Sequence, residues 1–201
     1  MPSARRLGSP DAKNRSVLLD AAEQLMLEEG YAAVSARRVA ARAGLKHQLV
    51  HYYFRTMDDL LLDVFRRRAE EGLERQAKAL ASDQPLRALW EYSTDRAGTV
   101  LTMEFAGLAN HRKAIRAEIA RYAEKFRAAQ LEALPGILDR YGLCSDDCPP
   151  VVMTVLLTGL SRVVAMEQTI GISTGHTEAL AWVERHLQQL EGDPKSRTDD
   201  R

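Results

Sequence analysis

Within residues 46–53, Lys46, His47, Gln48, His51, Tyr52 and Tyr53 offer cationic, amide, imidazole and phenolic groups suited to nucleic acid. The Gln48 amide matches the N6/N7 edge of adenine, and the Arg37 guanidinium matches the O6/N7 edge of guanine. Ser35, Tyr53, Arg55 and Thr56 are suited to phosphate oxygens, contacts that position a protein without reading sequence. Other constellations carry less chemistry. There is no GxSxG nucleophile turn, Gly-rich phosphate loop or HExxH helix, so no catalytic residue is assigned and the chain is expected not to be an enzyme. Glu104 with His111, and Asp95 with Arg96, resemble acid–base pairs but lie in helical stretches where such pairs are solvated or structural. Cys144 and Cys148 flank Asp146 and Asp147, without the paired spacing that zinc requires, so neither a metal nor any other cofactor is expected.

The groups around Gln48 read DNA only if the chain holds them rigidly. Leu18, Ala21, Ala22, Leu25 and Met26 form one helical stripe over residues 11–29, which Gly30 ends. Ser35 is placed to cap a short helix over 36–43, Gly44 breaks it, and a second short helix runs over 46–52. The reversal at Ala43-Gly44-Leu45 needs a positive φ, which is cheap only for glycine. Val39, Ala40, Leu45, Val50 and Phe54 would face inward and fix the angle between the two helices. That arrangement is a helix-turn-helix, whose second helix fits a major groove about 12 Å wide. Thr56 caps a long helix over 57–81, with Asp58 and Asp59 in the first turn and Leu60, Leu61, Val64 and Phe65 inside.

Five more helices are predicted, over 85–95, 98–110, 113–141, 150–171 and 174–190, with a bend or break at Pro135. No run alternates long enough for a strand, so the fold class is all-α with about nine helices. The expected organisation is a flexible basic arm (1–10), a DNA-binding domain (11–56), a helical ligand-binding and dimerisation domain (57–191) and a disordered tail (192–201). Val151, Val152, Val155, Leu156, Leu160, Val163 and Val164 cover more than one face of the penultimate helix, and Ala179, Leu180, Val183, Leu187 and Leu190 stripe the last. These two helices are predicted to pair with their copies in a homodimer. Trp90, Tyr92, Met103, Phe105, Tyr122, Phe126, Met153, Leu157 and Met166 are candidates to line a site for a small apolar effector of unknown identity, with Glu104, His111 and Arg112 as further polar tips.

Bulk composition agrees with this reading. The net charge is zero, yet residues 1–57 hold nine basic and five acidic side chains, leaving 19 against 23 elsewhere. A basic head on an acidic body suits an N-terminus that faces phosphates. Two cysteines fit a reducing compartment, and the apolar run from Val151 meets Arg162 well before the roughly 20 residues a membrane span needs. A cytoplasmic protein without a membrane partner is expected.

Ala21-Ala22, Gly30-Tyr31, Val39-Ala40, Ala43-Gly44-Leu45, Tyr52-Tyr53-Phe54 and Asp59-Leu60 together resemble the N-terminal signature of the TetR family of transcriptional regulators. The resemblance implies a homodimeric repressor on a palindromic double-stranded operator, released when a small molecule enters the C-terminal part. By motif position it assigns base reading to Arg37, Lys46, His47, Gln48 and His51, and phosphate contact to Ser35, Tyr53 and Thr56. The chain departs from the pattern with Lys46 where a Ser-like cap is usual, Gln48 where Gly is common and Met57 where Lys is common. The alternative is an all-helical enzyme or interaction protein whose N-terminal helices only resemble a DNA head.

Overall fold

The computed structural model describes residues 10–143 and 149–195. The proposed arm (except Pro10), the Cys144/Cys148 segment and the last six residues of the proposed tail lie outside them. The described residues form α1 (Pro10–Glu29), a 3-10 turn (Tyr31–Ala33), α2 (Ala36–Arg42), α3 (His47–Tyr53), α4 (Met57–Leu80), α5 (Pro85–Ser93), α6 (Arg96–Ala109), α7 (Lys113–Arg140), α8 (Pro150–Thr169) and α9 (His176–Glu191), with no strand among them. The all-α expectation holds. The 3-10 turn had no periodic signal and was not foreseen, because a single turn is too short to show one.

Two compact units emerge, and their boundaries cross helices rather than loops. One comprises residues 1–70 and 101–120, the other 71–100 and 121–201. The helix-turn-helix segment thus shares its unit with the first half of α4, most of α6 and the start of α7. Its core holds Leu18, Ala22, Leu25, Met26, Val39, Ala40, Val50, Phe54, Leu60 and Val64, closed by Leu101, Phe105, Leu108 and Ile115. Burial of each such Leu, Val or Phe contributes about 1.5–3 kcal/mol, so this core sets the geometry. Ion pairs frame it: Arg15 with Asp63, Arg112 with Asp58, Arg66 with Glu118 (2.5 Å) and Arg67 with Asp20 (2.6 Å) and Glu23 (3.0 Å).

In the second unit, Leu86, Trp90, Leu134, Ile137, Val183 and Leu187 form the core, with Met153, Leu157, Leu160 and Leu180 packed against it. Helix α7 runs through Pro135 without ending, so no break occurs there. Leu134, Ile137 and Leu138 are buried on either side of the proline and hold the helix through the missing hydrogen bond. Helix α8 also continues past Arg162 to Thr169, because Val163, Val164 and Met166 resume the apolar pattern. By length and composition alone α8 is therefore able to cross a membrane, contrary to the shorter apolar run read from the sequence.

Polar contacts fasten the end of α9 to the start of α5. The Glu191 carboxylate accepts from the Leu86 and Arg87 backbone N–H groups, both at 2.9 Å, at the positive end of α5. Arg87, nearly buried, donates to both Glu184 oxygens at 2.8 and 2.9 Å. The Gln84 amide donates to the Glu191 and Asp193 carbonyls, while its oxygen accepts from Lys195 N–H. The first residues of the segment read as a free tail are thus held in place.

The Tyr141 hydroxyl donates to Glu191 at 2.8 Å. Burial, then this hydrogen bond, pushes the phenol up from 10.0 to about 12. A raised pKa means that the folded state keeps the proton, so the contribution is present below pH 10 and is lost as pH rises toward about 12. Tyr141→Phe is expected to lower the thermal midpoint at neutral pH and to close the gap to wild type between pH 10 and 12. Parallel pH curves in thermal unfolding would contradict this.

Candidate nucleic-acid interface

The interface is built on the turn between α2 and α3. Ser35 caps α2 by accepting from Arg38 N–H at 3.4 Å. Gly44 ends it with φ 65°, its N–H donating to the Ala41 carbonyl (3.2 Å) and the Leu45 N–H to the Ala40 carbonyl (2.9 Å). These two bonds are a Schellman ending, which satisfies carbonyls that α2 would otherwise leave open. No atom lies within 4 Å of a Cβ built on Gly44, so backbone conformation rather than space demands glycine. Val39, Ala40, Val50 and Phe54 are buried beneath the turn and Leu45 is partly so, as their spacing predicted.

The opposite face carries the proposed readers. Arg37, Lys46, His47, Gln48, His51 and Tyr52 are all exposed, Tyr52 at 60%. Lys46 is the N-cap of α3 and makes no side-chain capping bond. Its ammonium is not spent on the helix end, as a Ser hydroxyl would be. Tyr53 is half-buried, edge-on to Tyr52 at 5.0 Å between centroids. Ser35 and Thr56 are exposed at helix starts. Thr56 Oγ1 accepts from Asp59 N–H at 3.1 Å while the Asp59 carboxylate accepts from Thr56 N–H at 3.0 Å, a capping box. Both hydroxyls accept through oxygen and retain a proton to donate to a phosphate.

Two arginines beside the readers are already occupied. Arg38 donates to Glu29 and Arg42 to Glu28, each at 2.5 Å. These hydrogen bonds, as the largest cause in each case, hold both carboxyls below the usual glutamate range. Arg37 is exposed and takes part in no such pair among the described residues. The acidic side of this sorting was not read from the sequence, because Glu28 and Glu29 precede their partners by 14 and 9 positions across a turn. Also missed was Glu104 of α6, whose carboxylate accepts from Tyr31 N–H at 2.6 Å and lies 3.3 Å from a Cβ built on Gly30. At φ 79°, Gly30 lets the backbone approach that carboxylate.

The nine residues proposed to line an effector site are divided between the two units, Met103 and Phe105 in the first and the other seven in the second. Phe105 is in the core of the head unit, edge-on to Phe65 at 5.2 Å, and Met103 belongs to the same unit. Trp90, Met153 and Leu157 share the core of the second unit. Tyr92 and Phe126 stack at 6.5 Å. Tyr122 is buried with the Arg121 guanidinium and Lys125 ammonium near its ring face, and Met166 is exposed. No group of three or more His, Cys, Asp or Glu side chains suited to a metal occurs among the described residues.

The α2–α3 pair is a helix-turn-helix with an exposed polar outer face, set in a longer helical chain. Residues 18–64 match the family model described as bacterial regulatory proteins, tetR family. Solved structures share the fold over nearly the whole chain. A transcriptional regulator from Saccharomonospora viridis in complex with choline has a TM-score of 0.73 and 19% identity, covering 88% of this chain and 94% of its own. Escherichia coli NemR in its reduced form gives 0.72 and 18%, covering 90% and 100%. A TetR-family transcriptional regulator from a Rhodococcus species gives 0.70 and 17%, covering 89% and 99%. No curated protein matches by sequence. The head is similar to TetR-family helix-turn-helix domains over residues 18–64, and the chain has the fold of TetR-type transcriptional regulators.

Because only its φ requires glycine, Gly44→Ala is expected to destabilise the protein by about 1–2 kcal/mol, the cost of a left-handed alanine. Urea unfolding checks this, and an unchanged stability would show that the turn tolerates another conformation.

Proposed function

We propose that the chain is a homodimeric, sequence-specific transcriptional repressor that leaves a palindromic operator when a small molecule binds its C-terminal unit. The observation that carries this reading is the exposed set Arg37, Lys46, His47, Gln48, His51 and Tyr52 on a buried, rigid α2–α3 pair. The N-terminal residues of α3 meet base edges and those of α2 lie beside them. Ser35, Tyr53 and Thr56 hold phosphates, and the loss of a Lys at Met57 leaves that role to them. No catalytic role is part of the reading, and such a protein works in the cytoplasm, where the DNA is.

Dimerisation is supported by the outer face of α8. Val151, Val152, Val155, Leu156, Val163 and Met166 are exposed, with Ile170 and Ile172 beyond the helix and Trp182 on α9. An exposed apolar stripe of this length marks a surface covered by a partner. A second copy covers it isologously and places two heads for successive major grooves, about 34–36 Å apart. The membrane alternative for α8 is disfavoured because Arg162 sits mid-helix, where a charge costs about 2.5–3.5 kcal/mol or more in a bilayer. An effector site in the C-terminal unit is supported by the choline complex of the Saccharomonospora viridis neighbour, and α4, which starts at the head and continues into the second unit, offers a path for coupling.

Gln48→Ala and Arg37→Ala are each expected to weaken operator binding by about 1–3 kcal/mol and to relax sequence preference, whereas Tyr53→Phe weakens all duplexes alike. Gel-shift titrations on operator and scrambled DNA test this. Equal losses on both DNAs for Gln48→Ala and Arg37→Ala would overturn the assignment of readers.

Leu156→Asp is expected to convert the dimer to a monomer at micromolar concentration by burying an unpaired charge in the interface. Light scattering reads the outcome. A monomeric wild type, or a dimeric Leu156→Asp, would contradict the proposed interface.

A further inference from the structure

The turn that leads into α2 has little of its own to hold it. None of the residues Tyr31–Ala33 is buried, and Gly30, its N-cap, has no side chain to cap it. The first N–H groups of a helical turn find no partner within the turn. A carboxylate from α6 takes one of them: Glu104 Oε2 accepts from the Tyr31 N–H at 2.6 Å, a charge-assisted bond. Glycine at position 30 permits the approach. Its φ is 79°, and a Cβ on it would lie 3.3 Å from the same Glu104 oxygen, so a side chain there would crowd the carboxylate. The Tyr31 ring meets the same helix, with Cε1 3.9 Å from a Cβ built on Gly107.

Such a bond positions the turn only if Glu104 is itself fixed. Leu101, Phe105 and Leu108, on one face of α6, are buried in the core of the same unit, and Phe105 lies edge-on to Phe65 of α4. Arg112, in the corner after α6, pairs with Asp58 in the first turn of α4. The segment 104–112 therefore touches the chain on both sides of the helix-turn-helix, at Gly30-Tyr31 before α2 and at Asp58 after α3. All of these residues belong to the first unit.

We propose that Glu104 is a positioning residue for DNA reading: from α6 it pins the entrance of the helix-turn-helix, so that Ser35 and Arg37, which follow directly, start from a fixed point. The buried core sets the angle between α2 and α3, and Glu104 sets where the chain enters them. The bond lies at the surface, where water replaces a lost partner, so its removal orphans no buried group and costs the fold little. Its effect falls instead on the register of the readers against base edges. The role rests on the reading of the head as a DNA-binding element. It also runs against simple electrostatics, because an acid in a DNA-binding head repels phosphates and its removal alone would tighten binding to every duplex.

The test uses the full-length protein, the duplex that the wild type enriches from a random pool, and a scrambled duplex at the same salt. Glu104→Ala is expected to lower affinity for the enriched duplex about tenfold and to leave the scrambled one unchanged or slightly tighter. Glu104→Gln, which keeps an acceptor oxygen at the same reach, is expected to recover most of the loss, and Glu104→Asp, charged but one methylene shorter, to recover little. Glu118→Ala removes an acid and its ion pair with Arg66 in the same unit and is expected to keep wild-type selectivity. Without DNA, Glu104→Ala is expected to speed hydrogen exchange of the Tyr31 amide about tenfold at an almost unchanged thermal midpoint. Tighter binding of Glu104→Ala to both duplexes, equal losses on both with a lowered midpoint, rescue by Asp but not by Gln, or unchanged Tyr31 exchange would each overturn the proposal. Selective duplex binding by the wild type that Glu104→Ala retains would sink this role and leave the repressor reading standing. A wild type that enriches no duplex would overturn the repressor reading and, with it, the reading role of Glu104, even where Tyr31 exchange still depends on that carboxylate.

Discussion

The geometry of the helix-turn-helix depends on the fixed angle between α2 and α3. Gly44 supplies the positive φ, and the two Schellman bonds close the end of α2. Burial of Val39, Ala40, Val50 and Phe54 then leaves one arrangement for the helices. Those four side chains together outweigh the few tenths of a kcal/mol that a surface contact contributes. Because the core fixes the angle, the outer face is free to carry polar side chains that do nothing for stability. Arg37, Gln48 and His51 are available to a ligand for that reason.

Electrostatics then sorts the polar side chains. Near the head, Arg38 and Arg42 are tied to Glu29 and Glu28, while Arg37 is left open. In the second unit Arg75 is tied to Asp95 and Arg87 to Glu184. Glu104, whose pairing with His111 was read from the sequence as solvated or structural, accepts from the Tyr31 N–H at the entrance to the helix-turn-helix.

Local signals in the sequence were enough for the head. Stripes at helical spacing, the Ser35 and Thr56 caps and the Gly44 break each act within a few residues, and each appears in the structure as read. Less was legible where the deciding partner is distant. Pro135 signalled a break, but Leu134, Ile137 and Leu138 hold α7 through it. Phe105 has the size and polarity of a ligand-lining residue, and only its packing against Phe65 puts it in the core of the head unit. Arg162 looked like the end of an apolar run, yet Val163, Val164 and Met166 resume it and α8 continues to Thr169.

The central claim is that two copies of this head read DNA together, and selection from a random duplex pool tests it most directly. Full-length protein is used to enrich bound duplexes over several rounds at fixed salt, and the survivors are sequenced. The expected result is an inverted repeat whose half-site centres lie about one helical turn apart, or a multiple of it. Enrichment of a single asymmetric half-site, or no enrichment above the starting pool, would contradict the account.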